Sequence, residues 1–321
     1  MADAVRIVVP ASPWPRSATM LHVPAPPSFE RATLRRDGDE RPLPCQLERG
    51  PEGDRLWWPA PAVAANVEQC FTAFADDRRR RAPRRVAFAR TAMGWEVSVR
   101  GERWAELLLP AWGPPRLRLH FLGQSLLHAW PVGACGAWRR VGAVQATQGP
   151  VFGALRAHYH WLDSLERAVA AVRTTWRFFD GPARRLAAEL AFEVAATTGP
   201  AAAQPACALI FADPDGVVNQ AGTPVGLLRQ SAPVQWLFAD GAAAALGVFA
   251  RHDATTAERR SGSDALLLSL PLAEDRLPLG ALETWRLRFV RGADRQWPRQ
   301  LAAAYRDFRH RPACRIEAEA R

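Results

Sequence analysis

His158 and His160 stand two residues apart in Leu155-Arg-Ala-His-Tyr-His-Trp-Leu162. On an extended strand that spacing turns both imidazoles to one face and leaves Tyr159 and Trp161 on the other. Imidazole is the side chain whose ordinary pKa lies nearest neutrality, so such a pair can ligate, or serve as a proton-transfer group and its orienting partner. The same spacing also suits two plain solvent-facing residues on a half-exposed sheet. His252 closes another apolar run, Gly247-Val-Phe-Ala-Arg-His252, and His128 lies in Leu126-Leu-His-Ala-Trp130. Carboxylates that could partner them are Glu189, Glu193, Asp240, Asp253 and Glu283. The expected catalytic set is His158, His160, His252 and Asp240.

The expected ligand-binding set is Trp130, Trp138, Arg173 and His128. Gly and Pro flank Trp130 and Trp138, which reads as a loop, and loops are where ligand-holding side chains concentrate. Arg173 can donate two hydrogen bonds at once to a hydroxyl or carboxylate. Neither a metal nor a cofactor is expected. There is no HExxH pair and no compact carboxylate set. Asp213-Pro-Asp-Gly-Val-Val-Asn219 lacks the length and closing Glu of a calcium loop, and reads as a tight turn.

The elements that must position these residues read as antiparallel strands, because aromatic and β-branched residues alternate with Arg, Thr, His and Glu at a period near two. Short strands are expected at Val5–Val9, Arg31–Arg36, Pro44–Leu47, Val86–Phe88, Trp95–Val99 and Trp104–Leu109. Longer ones follow at Arg116–Phe121, Leu155–Trp161, Val172–Phe179 and Leu186–Val194, then Ala208–Phe211, Val234–Phe238, Leu246–Ala250, Leu266–Leu270 and Thr284–Val290. Leu186–Val194 is Ala-rich enough for a helix, but its apolar residues fall on one alternating face. Leu301, Ala304, Tyr305 and Phe308 recur at i, i+3, i+4 and i+7, the stripe of a helix over Pro298–Arg309. The fold class is thus all-β, a large antiparallel β-sandwich with one C-terminal helix. Residues 1–321 read as one domain, within which a smaller N-terminal β-subdomain over 1–110 can be set against a main sandwich over 111–310.

A hydrophobic content of 48% against 23% charged residues supports a substantial core. The net charge of +10 would suggest nucleic acid, yet all 42 basic residues are arginine, a skew that matches GC-rich codons. The densest cluster, Arg78-Arg-Arg-Arg-Ala-Pro-Arg-Arg85, has no interleaved aromatics for base stacking, which argues against nucleic acid. It would otherwise suit an acidic polymer, with strongly salt-dependent binding. The five cysteines are scattered without metal spacing and read as reduced thiols. No run reaches the length of a membrane span or a signal peptide's apolar core, so the expected setting is cytoplasmic with no membrane partner. Nothing in the chain indicates an oligomeric state.

Short motifs in a fixed order resemble the PmoA-like family of bacterial proteins, which shares the galactose-mutarotase-like supersandwich. They run from Ala32-Thr-Leu-Arg-Arg-Asp-Gly38 and Pro42-Leu-Pro-Cys-Gln-Leu47 through Leu56-Trp-Trp-Pro59 and Gly94-Trp-Glu-Val-Ser-Val-Arg-Gly101. Gly149-Pro150, Tyr159-His160-Trp161, Arg173-Thr174 and Arg184-Arg185-Leu186 carry the closest likeness. Gly216–Gly222, Ala232–Trp236, Gly247–His252, Leu279–Arg288 and Leu301–Phe308 continue it, so it spans roughly residues 20 to 310. The resemblance implies a carbohydrate ligand in a concave groove, a His acid and a carboxylate base that open a sugar ring, and tryptophans that stack on sugar faces. It also implies a loss. The family's histidine-rich segment is replaced here by Leu126–Trp138, which keeps His128 and Gly133 or Gly136, and its final His-Pro pair becomes His252-Asp253. A non-catalytic binding or structural module is therefore the alternative to a sugar-processing protein.

Overall fold

A computed structural model describes residues 4–50, 53–75, 85–121, 124–132, 137–180, 186–196, 206–211, 216–224, 232–240, 245–250, 255–259, 265–269, 282–292 and 297–318. The chain begins with β1 (Ala4–Val9), β2 (Thr19–Pro24), β3 (Ala32–Arg36), β4 (Pro42–Leu43), β5 (Gln46–Glu48), β6 (Arg55–Ala60) and β7 (Gln69–Ala75). It continues with β8 (Val86–Arg90), β9 (Trp95–Val99), β10 (Glu102–Leu108), β11 (Arg116–Phe121) and β12 (Gln124–Val132). Four long strands follow: β13 (Ala137–Gln148), β14 (Phe152–Leu162), β15 (Ala168–Asp180) and β16 (Leu186–Ala196). The remainder comprises β17 (Ala206–Phe211), β18 (Val217–Asn219), β19 (Ala232–Pro233), β20 (Trp236–Asp240), β21 (Ala245–Ala250), β22 (Thr256–Arg259), β23 (Ala265–Ser269), β24 (Leu282–Gly292), α1 (Trp297–Arg309) and β25 (Arg315–Ala318).

These strands form two sandwiches. In the small one, a sheet of order β25-β1-β7-β3-β4 faces β2-β6-β5 across Ile7, Val9, Leu21, Leu34, Leu56, Trp58 and Phe71. In the large one, β19-β22-β23-β17-β12-β11-β10-β9-β8 faces β13-β14-β15-β16-β24-β21-β20-β18. Their shared core includes Trp104, Leu119, Tyr159, Trp161, Trp176, Phe178, Leu190, Leu209, Leu287 and Phe289. The architecture is the expected all-β sandwich with one C-terminal helix. The sheets divide the chain earlier than residue 110, because β8 to β10 belong to the large sandwich. The small one takes in the far C-terminus instead, through the pairing of β25 with β1.

The burial pattern shows how the two sandwiches meet. Along β15 alternate residues are buried as far as Arg173, after which every residue from Thr174 to Asp180 is buried. The inward face packs on the large core, while the outward face is covered by the small sandwich: Trp57 and Met20 close on Phe152, Ala154 and Phe179. Helix α1 covers another part of that outward face, with Leu301, Tyr305 and Phe308 on Phe238, Phe249 and Val290. Ser17 ties the small sandwich to α1 by donating its N–H (2.7 Å) and its hydroxyl to one oxygen of Asp307. Gln46 completes the junction, its side-chain oxygen accepting from the backbone N–H groups of Val151 and Phe152 at 3.2 and 3.1 Å. A Cβ at Gly149 would lie 2.2 Å from that oxygen, so a larger residue there would displace the Gln46 side chain.

The stretch that holds Trp130 and Trp138 departs from the expected loop. It contributes β12 and the start of β13, with residues 133–136 outside the described set. Pro131 is tolerated because β11 ends opposite Ala129, so at Pro131 only β17 pairs with the strand. Among the described residues, no helix is long and apolar enough to cross a membrane.

Candidate functional site

Residues paired across an antiparallel sheet share a face, so the outward face of the eight-stranded sheet can be followed row by row. The first row, Phe152, Phe179, Ala187 and Val290, lies at the junction with the small sandwich and α1. Next come Ala154, Arg177, Glu189 and Arg288, followed by Arg156, Thr175, Ala191 and Arg286. Val141, His158, Arg173, Glu193 and Thr284 form the fourth row. The fifth is Trp112, Arg139, His160, Ala171, Ala195 and Leu282. Successive rows are two residues apart, about 7 Å along the strands.

The second and third rows hold a buried network of arginines and glutamates. Glu48 of the small sandwich receives Arg156 and, at 3.1 Å, Arg177, and its other oxygen accepts from the Trp57 indole N–H at 2.8 Å. Glu189 receives Arg288 at 2.7 Å and Arg311 at 3.0 Å. The guanidiniums of Arg177 and Arg311 lie 5.4 and 5.6 Å from the centroid of the Trp57 ring. Burial alone would raise the Glu189 pKa, but Arg311, Arg288 and Arg177 outweigh it and hold the carboxyl well below the usual range. Glu189 is thus fixed as a counter-ion in the junction and is unsuited to act as a base.

In the fourth and fifth rows His158 and Val141 are exposed, and Arg139, His160, Ala171, Arg173, Glu193 and Ala195 are half-buried. His158 and His160 lie side by side on the outward face as their spacing requires, with Tyr159 and Trp161 in the core. Arg173, next to His158 in its row, pairs with Glu193 at 3.2 Å. Partial burial and the Arg173 charge lower the His158 pKa, against an opposing pull from Glu193. The lowered pKa favours the neutral imidazole of His158, which can donate or accept a hydrogen bond. The His160 Nδ1 is buried without a hydrogen-bond partner.

The other expected residues lie elsewhere. Asp240 ends β20 opposite Ala245, itself opposite Gly292, whereas Glu193 is opposite Thr284. Those eight residues of β24 amount to about 27 Å, too far for Asp240 to partner His158. Trp138 is no loop residue: it is buried, packed edge-on against Tyr159 and Trp161 at 5.6 and 5.3 Å. His128 and Trp130 sit on β12 in the nine-stranded sheet, in register with Ile210 and Ala208. His252 lies outside the described residues, as does most of the arginine cluster. Its last member, Arg85, is paired with buried Asp180 at 3.3 Å, beside Arg100 at 2.7 Å. Asn219 ends β18 and accepts from the N–H groups of Ala221 and Thr223 in the turn that follows, while residues 213–215 of the expected turn lie outside the described residues. Cys45, Cys70, Cys207 and Cys314 are free thiols, and among the described residues no His, Cys, Asp and Glu cluster could hold a metal.

Two residues of the open face were not anticipated. Trp112 joins the edge of the sheet through a bridge to Arg139 and is 56% exposed, with the Arg139 guanidinium 5.9 Å from its ring centroid. Its setting, Pro110-Ala-Trp-Gly-Pro-Pro115, carries the same Gly and Pro flanks that drew attention to Trp130 and Trp138. Compared with known proteins, the chain matches no family model and no curated sequence.

Proposed function

We propose that the open end of the eight-stranded sheet binds a sugar or uronate, in keeping with the resemblance to the PmoA-like family and its mutarotase-like sandwich. The observation that carries this reading is the partly exposed row of His158, Arg173 and Glu193 beside His160. It offers imidazole, guanidinium and carboxylate groups, a mixture suited to hydroxyls. Binding without turnover is the form that the geometry favours. A ring-opening reaction needs an unencumbered base, and Glu193, the carboxylate of this row, is engaged by Arg173. A thermal-shift screen with neutral hexoses and uronates tests the reading. A saturable rise in Tm with at least one sugar, abolished in His158→Ala, is expected. No sugar response, or a response unchanged in that variant, would contradict it.

A further inference from the structure

Among the tryptophans whose side chains are described, Trp112 alone is exposed. Trp57, Trp58, Trp104, Trp138, Trp161 and Trp176 are buried, whereas Trp112 presents more than half of its surface to solvent. It is also rigidly placed. Its bridge to Arg139 is flanked by hydrogen bonds from Gly113 N–H to the Trp138 carbonyl (2.9 Å) and from Arg140 N–H to the Ala111 carbonyl (2.8 Å). That pattern marks a non-hydrogen-bonded pair, in which facing side chains approach most closely. Prolines 110, 114 and 115 stiffen the segment further. An exposed indole held in place loses little entropy when a ring stacks on it.

Arg139 and the neighbours of this row complete the surface. Among the described residues no carboxylate pairs with Arg139, in contrast to Arg173 in the next row, and its recorded side-chain contact is the face of Trp112. Beyond His160 the row falls to two half-buried methyl groups, Ala171 and Ala195. From β13 to β16 this shelf spans three strand spacings, roughly 14 Å, enough for a short oligosaccharide. It therefore has an aromatic platform at one end, a cation beside it, an imidazole next and a low floor after that.

The geometry points to Trp112 and Arg139 as a platform for the uronate residue of an acidic oligosaccharide, an assignment that rests on the sugar-binding reading above. The apolar face of the pyranose stacks on the indole, and its carboxylate accepts two hydrogen bonds from the guanidinium. His160 and His158 then meet hydroxyls of the following residue.

Calorimetric titration at fixed ionic strength tests this, using tetragalacturonate as the acidic probe and maltotetraose as the neutral one. Wild type is expected to bind the acidic chain about tenfold more tightly than the neutral chain. Trp112→Ala and Arg139→Gln should each weaken the acidic chain by about tenfold, the scale of one lost aromatic contact or charge-assisted pair. Both substitutions are at the surface, and circular dichroism confirms that the variants fold. Equal binding of the two probes, with both variants unaffected and His158→Ala impaired, would overturn the platform and leave the sugar-binding reading standing. Binding of neither probe would overturn both.

Discussion

His22 is a histidine that the fold keeps neutral. It is packed against Trp57 with ring centroids 4.4 Å apart. Burial first, then the charges of Arg311, Arg55 and Arg286, pull its pKa down from 6.5 to about 3. The unfolded chain binds a proton there below pH 6.5 and the folded chain does not until near pH 3, so this residue makes stability fall as pH falls between those values. The slope it contributes approaches about 1.4 kcal/mol per pH unit. Denaturant unfolding of wild type and His22→Gln between pH 6.5 and 4 should give curves that diverge by that slope. Parallel curves would mean that His22 titrates normally. His22 also shows where reading single residues from the chain fails: its neighbours are distant in sequence, and nothing around Leu21-His22-Val23 announces them. His158 and His160 were legible because a two-residue spacing fixes their face whatever the partner strand. Asp240 was misplaced because spacing says nothing about how far along a sheet two strands' residues lie.

At the level of elements, the arginine–glutamate network does the work of a clamp between sandwiches. Glu189 is fully enclosed between Arg288 and Arg311, and removing its charge leaves two buried guanidiniums without their carboxylate. Glu189→Gln should therefore cost about 3–5 kcal/mol of unfolding free energy. Arg173→Gln, which breaks a pair on the more exposed part of the same face, should cost less than about 1 kcal/mol. Chemical denaturation of the two variants reads the contrast, and equal losses would contradict it. The long strands β14 to β16 could be read from the chain because one of their faces is polar, so the alternation is visible. Leu56-Trp57-Trp58 in β6 shows no alternation, since Trp58 enters the small core while Trp57 packs into the junction. Its second burial exists only once the sandwiches meet. β12 was obscured by Pro131, whose cost disappears only where a neighbouring strand ends.

Across the whole molecule, the covering elements decide where a ligand can sit. The small sandwich and α1 occupy the first rows of the eight-stranded sheet, and the chain ends are drawn into that cover: Ser17 binds Asp307, and β25 returns to pair with β1. The rows of His158 and His160 lie farther along the long strands, where His158 is exposed and His160, Arg173 and Glu193 are half-buried. That is the arrangement on which the sugar-binding account depends. Histidine ring resonances followed by NMR during a titration with galacturonate test it most directly. The account predicts that the His158 and His160 signals shift together and saturate, while those of His22 and His310 stay in place. Shifts confined to other histidines, or none at all, would contradict it.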